Sequence, residues 1–315
     1  MISIGIDLGG TNIKSAVVDR EKGLLSSHSV PTNAAGGPDA VLDRIAEAIT
    51  SAADDAPEKP LGAGIGAPGI ISLDRTTVSH PPNLPGWGVI NVNEEIKKRT
   101  GFDAIVENDA NLMALGSSRY GVGRDLDSMI MLTLGTGVGG GIIYKRELYR
   151  GATGGAAEMG HVIIDYNGPE SYSSARGDIE AYIGQRFLIR NAIPLIKNHP
   201  GNPLAKKFLD KPDELEPVHL SNEADNGNEL AIQILADAGR VLGYAIVNYI
   251  HILDIRNIIV SGGVAKAGDW ILEPARKAAL ERLMPPFREG FEIRYETLGN
   301  DAALLGAGSL AFEFL

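Results

Sequence analysis

The chain has 315 residues, more than one hydrophobic core usually serves, so two domains are expected. Its 44% apolar and 22% charged residues are ordinary for a globular protein. The net charge of −11 argues against nucleic acid or an anionic membrane as partner, and the lack of cysteine excludes disulfides and thiolate metal sites.

The N-terminus enters an apolar strand at once, with no basic leader, and no apolar run is read as long enough to span a membrane. A soluble cytoplasmic protein is the expectation. Residues 2–7 and 13–18 read as strands around the turn Leu8-Gly9-Gly10-Thr11-Asn12. Asp7 ends the first strand. It either initiates the turn or helps hold Mg²⁺ beside a phosphate, since a bare carboxylate would repel one.

Residues 40–53 carry Val41, Leu42, Ile45, Ala48 and Ile49 in a helical stripe. Residues 61–71 read as a strand ending in Gly66-Ala67-Pro68-Gly69. The proline-rich stretch 81–87 reads as a stiff loop, either a connector or a pocket wall offering Asn83 and Trp87. A short helix is expected over 91–100, closed by Gly101, then a strand over 104–106. Glu107-Asn108-Asp109-Ala110-Asn111 follows, leading into a helix over 112–119. Asp109 is placed either to cap that helix or to accept a proton from a hydroxyl at the carboxyl end of a strand.

Residues 131–144 place five glycines between Gly135 and Gly141, flanked by apolar runs on both sides. Glycine lets backbone N–H groups face an oxyanion, so this hairpin reads as a phosphate cradle, with a bulged surface hairpin as the alternative. It matches neither G-x-x-x-x-G-K-S/T nor a G-x-G-x-x-G that opens a helix. Leu8-Gly9-Gly10-Thr11 aligns with Leu134-Gly135-Thr136-Gly137, which suggests a duplicated α/β architecture.

Beyond it, Glu158 and His161 are spaced to share one face of a single turn, which suggests a metal-binding pair although further ligands are not obvious nearby, with a hydrogen-bonded core histidine as the alternative. A helix is expected over 178–196, ended or kinked at Pro194, with Glu180 near its start. Residues 199–228 read as a surface insertion with one short helix near 204–209. A long apolar helix over 229–253, a strand over 257–260 and the turn Ser261-Gly262-Gly263 follow. That turn either permits close approach to a nucleotide or is a plain β–α turn. Helix 270–283, strand 291–297 and helix 302–314 complete the alternation.

Six of these stretches, in this order, resemble the ROK family of sugar kinases: residues 7–11, 82–87, 107–111, 134–141, 158–161 and 261–263. The resemblance implies an α/β, two-domain actin-like ATPase (ribonuclease H-like) fold, with duplicated sheet-and-helix domains around a central cleft. It implies a small domain over 1–113, completed by helix 301–315, and a large domain over 114–300 that carries a homodimer surface. It also implies ATP-dependent phosphorylation of a hexose 6-hydroxyl, with glucose as substrate. N-acetylmannosamine, N-acetylglucosamine and fructose kinases of the family are the alternatives. Asp109 would be the catalytic base, and Gly69, Asn83, Asn108, Glu158, His161 and Glu180 would bind the sugar. Gly9, Gly10, Thr11, Gly135, Thr136 and Gly137 would hold phosphate, Asp7 would position Mg²⁺, and Gly262 and Gly263 would border the adenosine.

Many members carry a zinc site of one His and three Cys. Here Ser171, Ser173 and Asp178 fall at the cysteine positions, so no structural zinc is expected. The family also contains repressors with an N-terminal helix-turn-helix. The first hairpin begins at residue 2 and the charge is acidic, so that reading is not preferred. The two intact hairpins and both aspartates likewise speak against a sugar-binding protein without activity.

Overall fold

Residues Ile2–Leu8 are buried almost throughout, as a near-continuous apolar run in a central strand should be, and they form β1. β2 (Asn12–Asp19) and β3 (Gly23–Pro31) follow, then α1 (Gly37–Asp54), β4 (Ala63–Ala67), β5 (Ile70–Ile71), β6 (Thr77–Ser79) and β7 (Val89–Asn91). Next come α2 (Val92–Thr100), β8 (Ala104–Asn108), α3 (Asp109–Tyr120), β9 (Met129–Leu134), β10 (Val138–Tyr144) and β11 (Glu147–Leu148). The remainder is α4 (Glu180–Ile183), α5 (Gln185–Lys197), α6 (Pro203–Phe208), α7 (Pro217–Asp225), α8 (Glu229–Leu253), β12 (Asn257–Ser261), α9 (Asp269–Arg282), β13 (Glu292–Tyr295) and α10 (Asp301–Phe314). The computed structural model describes residues 1–172 and 175–315. The chain divides into one unit of residues 1–128, 141–157 and 297–315, and a second of 129–140 and 158–296.

Two five-stranded sheets share one topology, β3-β2-β1-β4-β8 and β11-β10-β9-β12-β13. In the first, β2 pairs antiparallel with β1 and β3, while β1, β4 and β8 run parallel. In the second, β9, β12 and β13 run parallel and β10 pairs antiparallel with β11. Each sheet therefore opens with a glycine hairpin and continues with parallel strands. The duplication suggested by two short sequence matches is present in the strand order.

In the first unit, α1 seats Val41, Leu42, Ile45 and Ile49 in a core with Ile4, Ile6, Ile65 and Val106. α10 packs against α3, β1 and β4. It comes so close that a Cβ on Gly64 would overlap the Ala307 carbonyl oxygen, and one on Gly116 that of Ala302. Only glycine permits such backbone approach. In the second unit α8 and α9 pack together.

Several expectations are corrected. The strand read over 61–71 is β4 alone. Gly69 turns the chain with φ 95°, and Ile70 and Ile71 belong to a separate sheet, β5-β6-β7. Trp87 does not line a pocket: its ring is buried in the core and its indole N–H donates to Val78 O at 3.3 Å. The helix expected over 178–196 breaks at Gly184 into α4 and α5, and Pro194 sits inside α5 without ending it. Residues 199–228 hold a second helix, α7, and bury Leu204, Phe208, Leu215 and Leu220, so they are not merely a surface insertion. Finally, α8 is by length and composition apolar enough to cross a membrane, contrary to expectation. Of its most apolar window 61% is buried within the protein, as in a core helix.

Candidate active site

In the first unit, Asp7, Gly66 and Glu107 stand in register across the parallel strands β1, β4 and β8. Their carboxyl ends form the edge where open α/β sheets bind ligands. Gly9–Thr11 turns from β1 into β2, with Gly9 N donating to Asn12 O at 3.0 Å. Buried Thr32, unremarked in the sequence, pins this turn from β3's end: its hydroxyl donates to Gly9 O at 2.6 Å and its N–H to Thr11 O at 2.9 Å. Asn83 is exposed and lies beside the same turn, where a Cβ on Gly10 would sit 3.0 Å from that of Asn83. Gly69 lies in the half-buried loop after β4.

β8 runs directly into α3. Asn108, rather than Asp109, is the N-cap, its side-chain oxygen accepting from Ala110 N at 3.0 Å and Asn111 N at 3.2 Å. This corrects the capping alternative for Asp109, which is the first helical residue and accepts from Ala110 N at 2.9 Å. Burial holds the Asp109 carboxyl above the ordinary carboxylate range, against the lowering effect of that bond. Asp7 is also raised, first by burial and then by the charge of Asp109, with Lys14 opposing. Two neighbouring carboxylates at one sheet edge, both inclined to hold protons, can exchange a proton with a substrate or accept a cation.

In the second unit, Gly135, Thr136 and Gly137 link β9 to β10, closed by Gly135 N donating to Gly137 O at 2.9 Å. Thr136 is exposed, and a Cβ on Gly135 would meet nothing within 4 Å. Glu180 opens α4 and is buried against this hairpin, its Oε2 accepting from Val138 N at 3.0 Å. A Cβ on Gly137 would overlap that same oxygen. Gln185 N donates to Gly135 O at 2.9 Å, which is why the helix breaks at Gly184.

Glu158 precedes a 3-10 turn, Met159–His161, that ends on His161, and both side chains are exposed. The turn is fixed from below by the Tyr249 hydroxyl of α8, which donates to Met159 O at 2.6 Å. His161 Nδ1 lies 3.3 Å from Oδ2 of fully buried Asp178. Ser171 Oγ donates to the same oxygen at 2.6 Å, and Asp178 Oδ1 accepts from Ala181 N at 3.0 Å in α4. Ser173 lies outside the described residues. Gly262 has φ 100°, and a Cβ there would overlap the Leu134 carbonyl oxygen where β9 meets its hairpin. Gly263 is exposed beside it. Among the described residues no three His, Asp or Glu side chains cluster as a metal site.

The structure thus gathers Asp7, Gly9, Gly10, Thr11, Asn83, Asn108 and Asp109 in the first unit. It gathers Gly135, Thr136, Gly137, Glu158, His161, Glu180 and Gly262 in the second.

Comparison with known proteins adds three kinds of likeness. The model of the ROK family matches residues 3–313. Glucokinase of Thermotoga maritima is 34% identical over 310 residues, covering 98% of this chain and 97% of that one. Glucokinase of Streptomyces coelicolor is 35% identical over 315 residues, covering 99% and 98%. Among solved structures, a ROK family glucokinase from Streptomyces griseus in complex with glucose and AMPPNP superposes with a TM-score of 0.85 at 33% identity, covering 99% of this chain and all of that one.

Proposed function

This chain belongs to the ROK family, and from that membership we propose that it transfers the γ-phosphoryl group of ATP to the 6-hydroxyl of glucose. It is a sugar kinase with the actin-like ATPase fold. The observation that carries the reaction is Asp109: a carboxylate at the carboxyl end of a parallel strand, above the ordinary range through burial, and beside Asp7.

In this reading Asp109 accepts the proton of the sugar 6-hydroxyl. The O6–P bond forms as the bond from the γ-phosphorus to the bridging oxygen breaks, and the electron pair leaves on ADP. Phosphoryl transfer asks mainly for positioning and charge stabilisation. The N–H groups of the two glycine hairpins suit the phosphates, while Gly262 and Gly263 border the adenosine. Asn83, Asn108, Glu158, His161 and Glu180, with the backbone near Gly69, bind sugar hydroxyls.

Mg²⁺ supplies neutralisation of the phosphate charge when bound. The residues fit an ion that arrives on ATP and keeps most of its waters, because Mg²⁺ commonly takes only one or two carboxylates. Asp7, raised by burial and by its acidic neighbour, is the residue to hold it. Among the described residues the site around Asp178 does not fit zinc: it offers one imidazole, one carboxylate and a serine hydroxyl, and the carboxylate is already engaged by Ser171 and Ala181. A homodimer and a cytoplasmic location complete the reading, on the strength of the family resemblance.

Phosphorus NMR of a reaction with glucose, ATP and Mg²⁺ tests the proposal. The expected product is glucose 6-phosphate, formed in step with ADP. A phosphate on another hydroxyl, or inorganic phosphate alone, would contradict it.

A further inference from the structure

Glu107 is fully buried, and both of its oxygens are in use. Oε2 lies 3.1 Å from Arg75 Nε and 2.6 Å from Arg150 Nε. Oε1 accepts from Asn108 N at 2.9 Å and from Asn111 Nδ2 at 3.2 Å. A buried ion triad is seldom retained for stability alone, because well-packed apolar residues serve as well. The arrangement of the two oxygens suggests another use. One faces the two guanidinium groups. The other holds the N-cap residue of α3 and a side chain of its first turn, on either side of Asp109.

The cations are themselves anchored. Arg150 donates from its guanidinium to Leu73 O at 2.8 Å and Ser72 O at 2.9 Å. Arg75 O accepts from Val106 N at 2.9 Å, the residue before Glu107. Arg75 has φ 57°, a left-handed conformation that a non-glycine residue adopts only when its surroundings hold it there. The turn carrying Arg75, the segment carrying Arg150 and the end of β8 are thereby tied to a single carboxylate.

We propose that Glu107 is a positioning residue for phosphoryl transfer: with Arg75 and Arg150 as its counter-charges, it fixes Asn108 and Asn111 so that the Asp109 carboxylate is presented to the sugar hydroxyl. The inference rests on the kinase reading with Asp109 as base.

A double-mutant cycle between Glu107→Gln and Asp109→Asn tests it, because a residue that acts through Asp109 has little left to lose once Asp109 is neutral. Glucose-dependent ADP release of the wild-type protein is measured first, and its absence overturns the kinase reading and this inference together. Thermal melts and calorimetric glucose binding establish that each variant is folded. Single-turnover measurements with labelled ATP extend the range for the slow variants. Glu107→Gln is expected to lower kcat about 10- to 100-fold, the loss typical of a misplaced reacting group. The KM for glucose, to which Asn108 contributes, should rise by a smaller factor than kcat falls, and in the Asp109→Asn background the same change should lower kcat by less than about 3-fold more. Unchanged kcat in a folded Glu107→Gln protein overturns the inference alone. So does a cycle in which the two losses multiply, which is what a merely structural role would give. If Glu107→Gln does not fold, Asn111→Leu takes its place. That change removes one tether while leaving all three charges, and the same criterion of non-additivity with Asp109→Asn decides.

Discussion

Asp109 is held in a place that favours its protonated form. Its folded pKa lies above the unfolded one, so between the two values the folded chain binds more protons. The corresponding stability is fully present below the unfolded pKa and is lost as pH rises through the folded one. Above that window the charged carboxylate weighs against the fold, and Asp109→Asn is expected to melt at a higher temperature than wild type there. Its turnover should fall by about 10²- to 10⁴-fold, the usual worth of a positioned base. The same raised pKa sets the acid limb of the wild-type rate above the ordinary carboxylate range. Differential scanning calorimetry and a kcat profile against pH check these outcomes. A variant that melts lower and turns over normally would remove Asp109 as the strained base. The residue was legible in the sequence because it follows a short apolar strand and precedes a helical stripe. Which of Asn108 and Asp109 caps the helix was not legible, since both types cap well. The choice is made by β8, which continues through Asn108 to pair with Ala67.

The glycine hairpin around residue 135 combines two requirements that sequence alone merges. Gly137 lacks a Cβ because the Glu180 carboxylate occupies that space, whereas Gly135 faces open space. Neither has a positive φ, so alanine is not excluded by backbone conformation at either site. Gly135→Ala is therefore expected to leave the melting temperature unchanged and to raise the KM for ATP, because only a bound phosphate would meet the new methyl. Gly137→Ala should displace Glu180 and raise the KM for glucose more than that for ATP. Steady-state kinetics on both variants would separate the two, and equal effects on both substrates would refute the division of labour. The break in the helix over 178–196 belongs to the same contact. Periodicity supports one continuous helix, but Gln185 N–H reaches Gly135 O, and so α4 ends at Ile183 and the chain turns at Gly184. α7 is not legible in the periodicity because it is short, starts at Pro217 and gains its stability from burying Leu220 and Ala224, a tertiary effect.

At the scale of the molecule, two four-residue matches foreshadowed a duplicated topology that the strand orders of both sheets repeat. That much was readable because each hairpin imposes the same local demand for glycine after an apolar strand. The close seating of α10 against β4 and α3 was not readable, since it depends on carbonyls of Ala302 and Ala307 meeting glycines far away in sequence. Nor did residues 229–253 declare themselves as a core helix, because burial inside a protein and burial in a lipid bilayer select the same apolar side chains. The choice of sugar is likewise a property of the site's side chains, set beyond what local sequence patterns encode. The measurement that tests it most directly is ADP release by the purified protein with ATP and Mg²⁺, coupled to NADH oxidation, across glucose, mannose, fructose, N-acetylglucosamine and N-acetylmannosamine. The account predicts release that depends on sugar and is fastest at limiting concentration with glucose. No release with any of the five sugars would contradict it.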